Sequence, residues 1–228
     1  MSTIIRANSL NKIYKMGGED FYALNNVNVE VKKGRLVILK GRSGSGKTTL
    51  LNMLSTLDSP TSGEVFFEDE NVTSAREEVR DQLRRTRMGI VFQSIALVPI
   101  MNAYENVEFA LRLSGLEGDR RERVHEALEL VKIAERSGHM PGQMSGGEQQ
   151  RVAIARAIVH KPLVLFADEP TSALDVANSR SVMHIFRELI KREGISVVMT
   201  THDPGLMEMG DDIYELQDGV VINEIHRE

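Results

Sequence analysis

The first third of the chain alternates between apolar and polar residues in a way that is typical of strands. Residues 27–31 alternate strictly, which predicts a strand with one buried face. The uninterrupted apolar run at residues 37–39 predicts a fully buried strand. A loop rich in serine, threonine and proline then leads into a short predicted strand at residues 64–67. We therefore expect this part of the chain to be rich in β-structure.

The remainder of the chain alternates between helical and strand patterns. From residue 102 to residue 136, apolar residues recur with the period of a helix. Strands that alternate with helices predict an α/β fold, with a largely parallel sheet and helices on both faces. The other predicted elements are strands at residues 88–92, 162–167 and 195–200, a helix at residues 176–192 and a β-rich segment from residue 212.

A glycine-rich segment between the buried strand and the next apolar helix indicates phosphate binding. It fits the pattern Gly, four residues, Gly-Lys-Ser/Thr in the required strand–loop–helix setting, which favours this interpretation over an ordinary glycine-rich turn. Its glycines let backbone N–H groups surround an anion, and the helix N-terminus adds partial positive charge. Lys47 is predicted to reach the β- and γ-phosphates, and the Thr48 hydroxyl to bind Mg²⁺. The predicted nucleotide-binding residues here are Gly41, Arg42, Ser43, Gly44, Ser45, Gly46, Lys47, Thr48 and Thr49.

Two acidic residues follow the apolar run at residues 163–167. Open α/β sheets bind ligands at the carboxyl ends of their strands, so Asp168 is predicted to hold Mg²⁺ directly or through water. Glu169 is the predicted general base, which polarises the water that attacks the γ-phosphate. Acidic residues are also common at the start of solvated loops, and the pair indicates catalysis only in combination with the phosphate-binding segment.

Bulk composition fits one α/β domain that carries an inserted subdomain. The 228 residues have a net charge of −5, which argues against general nucleic-acid binding because phosphate backbones require a basic face. The chain contains no cysteine, so we expect no disulfides and no thiolate chemistry, as suits a reducing cytosol. No apolar run approaches the ~18 residues of a membrane span, so any membrane contact is expected to go through a partner.

The segment at residues 144–157 resembles the signature motif of ATP-binding-cassette (ABC) ATPases. The family's other motifs follow the same order, with Gln93 after a strand, Ser-Ala-Leu-Asp at residues 172–175 and Thr-Thr-His-Asp at residues 200–203. Within the family, the chain resembles the lipoprotein-releasing, macrolide-export and antimicrobial-peptide-resistance subfamily. The stretches that carry this second resemblance are residues 14–19, 57–64 and 104–108.

The resemblance implies a P-loop NTPase fold over residues 1–228, with a mostly parallel core sheet, an N-terminal antiparallel β subdomain and an inserted α-helical subdomain at about residues 94–160. It implies that Tyr14 stacks on adenine, although Phe21 and Tyr22 are nearby alternatives. Gln93 would offer its carbonyl to Mg²⁺ or to the attacking water. His202 would contact the γ-phosphate and help to position the general base.

The resemblance also implies that the working unit is a homodimer with two ATP molecules between its subunits. The signature residues Ser145, Gly146, Gly147 and Glu148 would contact ATP bound to the opposite subunit, and Asp175 would lie at the interface. Ser145 and Glu148 also fit a capping box at the start of a helix, and the two roles are compatible.

The expected function is that of an ATPase subunit that uses ATP and Mg²⁺ and acts on a separate transmembrane permease, at the inner, cytoplasmic face of the membrane and without nucleic acid. Residues 97–101 are predicted to contact the permease, with an ordinary core segment as the alternative. One alternative function is a soluble ABC ATPase of chromosome or repair machinery, which would need a long coiled coil that this chain lacks. The other is a nucleotide-dependent switch without hydrolysis, against which Glu169 and His202 argue.

Overall fold

The computed structural model describes residues 2–227, and this part of the chain forms ten strands, seven α-helices and two short 3-10 helices, Ala134–Arg136 and Pro141–Gln143. The strands are β1 (Thr3–Met16), β2 (Glu19–Lys32), β3 (Leu36–Lys40), β4 (Ser62–Phe67), β5 (Glu70–Asn71), β6 (Met88–Val91), β7 (Val164–Ala167), β8 (Ser196–Thr201), β9 (Asp212–Gln217) and β10 (Val220–His226). The helices are α1 (Lys47–Leu54), α2 (Glu77–Thr86), α3 (Ala103–Ser114), α4 (Arg120–Leu130), α5 (Gly146–Ile158), α6 (Val176–Glu193) and α7 (Pro204–Met207).

The chain divides into two compact units, Met1–Asp81 with Ser196–Glu228, and Gln82–Ile195. The first unit begins with an antiparallel sheet of order β2-β1-β4-β5, in which β1 and β2 form a long hairpin. Leu10, Leu24 and Val27 are among its fully buried side chains. Four register shifts interrupt the pairing of β1 with β2. Because these shifts disturb the alternation of apolar residues, the sequence pattern predicted a strand within β2, at residues 27–31, and none within β1.

The first unit also contains the strand order β10-β9-β3-β8, in which β3 runs parallel to both of its neighbours. Residues 37–39 of β3 are fully buried, as the apolar run predicted. Tyr214 on β9 connects these strands to the hairpin. Its hydroxyl donates to the backbone oxygen of Glu30 at 3.0 Å and accepts from the Glu30 N–H at 3.1 Å.

The second unit pairs β6 and β7 in parallel and packs α3, α4 and α5 together. Val107, Leu111, Val124 and Leu128, on which the helical period rested, are fully buried. α5 also packs against β6. A Cβ atom at Gly89 of β6 would lie 2.2 Å from the backbone oxygen of Ala157 in α5, so only glycine permits this approach.

The predicted fold class is confirmed, because the structure combines parallel core strands with an N-terminal antiparallel sheet and a helical insertion. The helix α2 was not predicted. Two of its ten residues, Val79 and Leu83, are apolar and none is buried, and the helix is marked by acidic residues in its first turn and arginines in its last. Among residues 2–227, no helix is long and apolar enough to cross a membrane. The limits predicted for the inserted subdomain stay a prediction.

Candidate nucleotide site

The phosphate-binding segment connects β3 to α1 at the carboxyl end of the central strand of its unit. Gly41 has a φ of 153°, and a Cβ atom there would lie 2.3 Å from the Leu216 backbone oxygen and 2.4 Å from Ser45 Oγ, so only glycine fits. The Ser45 hydroxyl is buried and has no hydrogen-bond partner among the residues that the structure describes. Buried polar atoms without a partner are rare, and this one fits a loop shaped for an anion.

Lys47 is the first residue of α1, and its side chain folds back over the loop. It is buried, and its ammonium donates to the backbone oxygens of Gly41 and Arg42, both at 2.9 Å. The helix has Gly46 at its N-cap without a side-chain cap, and its first turn contains no acidic residue. The positive end of the helix dipole is therefore not neutralised within that turn. Positive charge and backbone donors thus converge where the β- and γ-phosphates are predicted to bind.

His202 lies beside this segment in the same unit. β8 neighbours β3, with Thr201 as the register partner of Lys40, so His202 and Gly41 leave adjacent parallel strands at the same level. The exposed His202 side chain is therefore at the sheet edge where the sequence predicts the γ-phosphate. Asp203 has a different role, because it accepts a hydrogen bond from the Gly205 N–H at 2.8 Å and caps α7.

Three aromatic residues near the end of the hairpin are candidates for stacking on a base. Tyr14, Phe21 and Tyr22 are 39%, 49% and 50% exposed. Tyr14 and Phe21 are direct partners across the hairpin and share one face. The Tyr14 hydroxyl donates to Asp58 Oδ2 at 3.3 Å, which connects this ring to the loop that follows α1, the helix that the phosphate-binding segment begins. This connection favours Tyr14 over the other two.

In the second unit, the two acidic residues and Gln93 lie at the same end of the parallel pair. Ala167 is the register partner of Val91, and the Asp168 N–H donates to the Val91 oxygen at 2.9 Å. Asp168 is buried, and Gln93 is exposed two residues after β6 ends. Glu169 has a φ of 43°, in the left-handed region that costs energy for a residue with a side chain. Such strain clusters at functional sites, which agrees with the role predicted for Glu169.

The signature segment opens α5 with the predicted capping box. Ser145 Oγ accepts from the Glu148 N–H at 3.3 Å, and the Glu148 carboxylate accepts from the Ser145 N–H at 2.8 Å. Hydrogen bonding to the Glu148 carboxylate by the Ser145 backbone, and second by the Ser145 side chain, holds the pKa of Glu148 below its ordinary value, and Arg136 adds to the effect. Arg136 lies 3.1 Å from the same carboxylate. Ser145 and Gly146 are exposed at the end of the helix.

The remaining signature glycine is tied to Asp175 through a residue that the sequence analysis did not single out. A Cβ atom at Gly147 would lie 2.5 Å from Asn178 Oδ1. The carboxylate of Asp175 accepts from the backbone N–H and from the side-chain amide of Asn178, both at 2.8 Å. These two bonds, the backbone one first, lower the pKa of Asp175. The only sequence signal for Asn178 is its place three residues after a helix cap.

The predicted site residues thus fall into two groups, one in each unit. Lys12 and Asp58, which contact Tyr14, were not predicted from the sequence, although Asp58 lies in one of the stretches that carried the subfamily resemblance. The first unit holds Tyr14, Gly41, Arg42, Ser43, Gly44, Ser45, Gly46, Lys47, Thr48, Thr49 and His202, and the second holds Gln93, Ser145, Gly146, Gly147, Glu148, Asp168, Glu169 and Asp175.

Fold and site define a P-loop ATPase with a signature helix, and comparison with known proteins agrees. The family model described as ABC transporter matches residues 24–172. An uncharacterized ABC transporter ATP-binding protein of Methanocaldococcus jannaschii, MJ0796, is 42% identical over 97% of this chain and 96% of that protein. The lipoprotein-releasing system ATP-binding protein LolD of Paramagnetospirillum magneticum is 38% identical over 96% of this chain and 97% of its own length.

The chain therefore belongs to the ABC transporter family. A dimeric structure of MJ0796 in a post-hydrolysis state, bound to ADP and Pi, superimposes with a TM-score of 0.91 at 39% identity over 99% of both chains. The macrolide export ATP-binding/permease protein MacB of Syntrophobacter fumaroxidans is 40% identical, but the match covers only 31% of that longer protein. The chain is an ATP-binding subunit of the MacB and LolD type, an ATPase that uses ATP and Mg²⁺.

Proposed function

We propose that two copies of this chain close around two ATP molecules and that hydrolysis reopens them to drive a separate transmembrane permease. The observation that carries the proposal is the exposed N-terminal end of α5, where the Gly146 backbone and the Ser145 hydroxyl are accessible to an incoming anion. The dimeric arrangement of the similar MJ0796 cassette supports it.

Each predicted residue has a distinct chemical role in this proposal. The Lys47 ammonium pairs with the β- and γ-phosphates through charge-assisted hydrogen bonds. Thr48, Gln93 and Asp168 are the residues predicted to hold Mg²⁺, which would supply positive charge to the phosphate oxygens. Glu169 accepts a proton from the attacking water. His202 donates to the γ-phosphate as the negative charge there redistributes.

A groove in the second unit supports the proposed permease contact. It has a volume of about 360 Å³ and a mostly apolar lining to which Phe92, Val98, Phe109 and Leu113 contribute. Phe92, Phe109 and Leu113 are 46%, 42% and 53% exposed, and exposed apolar side chains grouped in one groove are typical of a partner contact. Of the stretch predicted to contact the permease, Val98 lines the groove, whereas Ile100 is 83% exposed.

Arginines at the groove suggest the chemistry of the permease segment. Arg84, Arg85 and Arg156 line it alongside the apolar side chains, and Arg156 already donates to the backbone oxygens of Ala96 and Ile95. An amphipathic helix with an apolar face and acidic flanks would complement this surface. Through such a contact the chain would be held at the inner face of the cell membrane.

The names of the relatives support a proposal for the class of transported substrate. MacB is named for macrolide export and LolD for lipoprotein release, so we propose that this chain serves an exporter or a system that handles lipoproteins or peptides. The second candidate function is a mechanical switch that uses the same ATP-driven dimer on a membrane partner without transport. Identification of the membrane protein that co-purifies with the chain from its native membrane distinguishes the two.

A mixing experiment tests the ATP-bound dimer. In the proposed dimer, each ATP lies between Lys47 of one subunit and Ser145 of the other. In a Glu169→Gln background, Ser145→Arg therefore spoils the serine side of both ATP sites, and Lys47→Ala spoils the lysine side of both. A mixed dimer then keeps one intact site, so mixing should restore ATP-dependent dimer that neither variant forms alone. Gly138→Arg, at an exposed glycine with open space around it, is the matched control and should dimerise normally. Absence of rescue at saturating ATP would overturn the proposal.

A further inference from the structure

A lysine, an aspartate and a tyrosine form a connected cluster in the first unit. The Lys12 ammonium lies 2.8 Å from Asp58 Oδ2 and 5.0 Å from the centroid of the Tyr14 ring, over its face. The Tyr14 hydroxyl donates to the same carboxylate oxygen at 3.3 Å. Each of the three side chains therefore contacts the other two.

The cluster is anchored on the loop that follows α1. Lys12 also donates to the backbone oxygen of Ser59 at 2.8 Å, and Asp58 Oδ1 accepts from the Ser59 N–H at 2.7 Å. Two further bonds tie the loop to β1, from the Ile13 N–H to the Thr61 hydroxyl at 3.0 Å and from the Thr61 N–H to the Asn11 oxygen at 2.8 Å. These bonds hold the loop against the strand that carries Tyr14.

The charges in the cluster reinforce one another. Burial alone would raise the pKa of Asp58, but the hydrogen bonds from Lys12 and from the Ser59 backbone outweigh it and hold that pKa below its ordinary value. Partial burial, with a smaller effect from the nearby carboxylate, raises the pKa of Tyr14. At neutral pH the carboxylate is ionised and the phenol keeps its proton, which is the state in which Tyr14 donates to Asp58.

We infer that Lys12 and Asp58 are positioning residues for the nucleotide base. The ammonium covers one face of the Tyr14 ring and the carboxylate holds its hydroxyl, so the ring is fixed with its other face available for stacking. An exposed aromatic side chain without such contacts loses rotational freedom when a ligand binds, whereas a ring that is already fixed does not. The inference rests on the proposed role of Tyr14 as the stacking residue.

The cluster should contribute to binding of the nucleotide base and should not contribute to binding of the phosphates. Lys12→Met is expected to weaken ATP binding about 3- to 5-fold, the size of an exposed cation–π contact. GTP should lose the same factor, since stacking does not read base edges. Inorganic tripolyphosphate, which has no base, should bind as tightly as before. In steady-state hydrolysis the change should raise KM and leave kcat as it was.

Calorimetry with ATP, GTP and tripolyphosphate on the full chain tests the inference. Lys15→Met, an exposed lysine on the same strand, is the matched control and should change nothing. Lys12→Arg should rescue ATP affinity, because a guanidinium also stacks on aromatic rings. Tyr14→Phe keeps the ring but loses the bond to Asp58, so it should weaken ATP binding without endangering the fold.

A double-mutant cycle separates positioning from general stability. Tyr14→Ala alone should weaken ATP binding roughly 5- to 100-fold, the range of a base–aromatic stack. In that background Lys12→Met should have no further effect on ATP affinity. Equal losses for ATP and tripolyphosphate, or full additivity with Tyr14→Ala, would overturn the positioning role. An unchanged ATP affinity in Tyr14→Ala would instead overturn the stacking role itself.

Discussion

Glu169 is the single residue on which the proposed hydrolysis depends most. Glu169→Gln removes the carboxylate that accepts the proton and keeps a side chain of the same length at a strained φ of 43°. We expect hydrolysis to fall by roughly 10²–10⁴, the usual contribution of a general base, while ATP binding is retained. Sedimentation should then show an ATP-dependent dimer. Near-normal turnover together with a monomer in ATP would contradict the assignment.

At the same scale, the sequence predicted the residues that belong to a recognisable motif. It did not predict the residues that contact them, such as Asp58 and Asn178. The phosphate-binding segment and the capping box could be predicted because the residues of each motif are close together in the sequence. Asp58 lies 44 residues from Tyr14, and Asn178 lies 31 residues from Gly147. Only folding brings such pairs together, and no local pattern distinguishes them from other surface residues.

At the scale of elements, the contact that Tyr214 makes between β9 and β2 should make the free energy of unfolding depend on pH in the alkaline range. Burial raises the pKa of Tyr214 to about 12, and the ordinary value is about 10. Between these values the unfolded chain loses the phenolic proton while the folded chain keeps it. The free energy of unfolding should therefore fall as pH rises from about 10 to 12, by at most about 1.4 kcal/mol per pH unit from this group.

Comparison with Tyr214→Phe checks this prediction, because lysines also titrate in that range. The variant leaves the Glu30 N–H and oxygen without the hydroxyl and should be less stable at neutral pH by about 1–3 kcal/mol. Its urea-unfolding free energy should decline less steeply above pH 10. Parallel declines in the two proteins would show that Tyr214 is not responsible.

The groove beside α3 gives a prediction for the permease contact. Leu113→Glu places a charge on an exposed position of its lining, so it should weaken binding to the permease and spare the ATPase activity of the isolated chain. Val79→Glu on α2, 43% exposed and outside the groove, is the matched control and should bind normally. Pull-down with the co-purified permease measures both. Equal binding by the two variants would refute this docking surface.

Some helices and strands could not be predicted from the sequence because their buried apolar residues are not regularly spaced. Residues 107, 111, 124 and 128 carried a clear helical signal because all of them face the interior. α2 buries nothing, and β1 shifts register repeatedly, so neither leaves a regular apolar pattern. The sequence therefore located the core elements and overlooked those that are held by charge or by irregular pairing.

At the scale of the whole molecule, nucleotide binding should appear as thermal stability. A ligand that binds only the folded state stabilises it by about 2.7 kcal/mol at a concentration 100-fold above its Kd. MgATP should therefore raise the melting temperature of the chain, and adenosine much less. Lys47→Ala, which removes the ammonium at the loop, should abolish most of the shift by ATP while leaving that by adenosine. Equal losses for both ligands would exclude a phosphate-specific role for Lys47.

The close approach of α5 to β6 at Gly89 has a mechanical consequence. The backbone of the helix contacts the backbone of the strand at this point, because Gly89 places no side chain between them. The helix begins at the signature serine, and the strand leads to Gln93. We therefore expect the two elements to move together, so that a displacement of α5 at its serine end would also displace the strand that precedes Gln93.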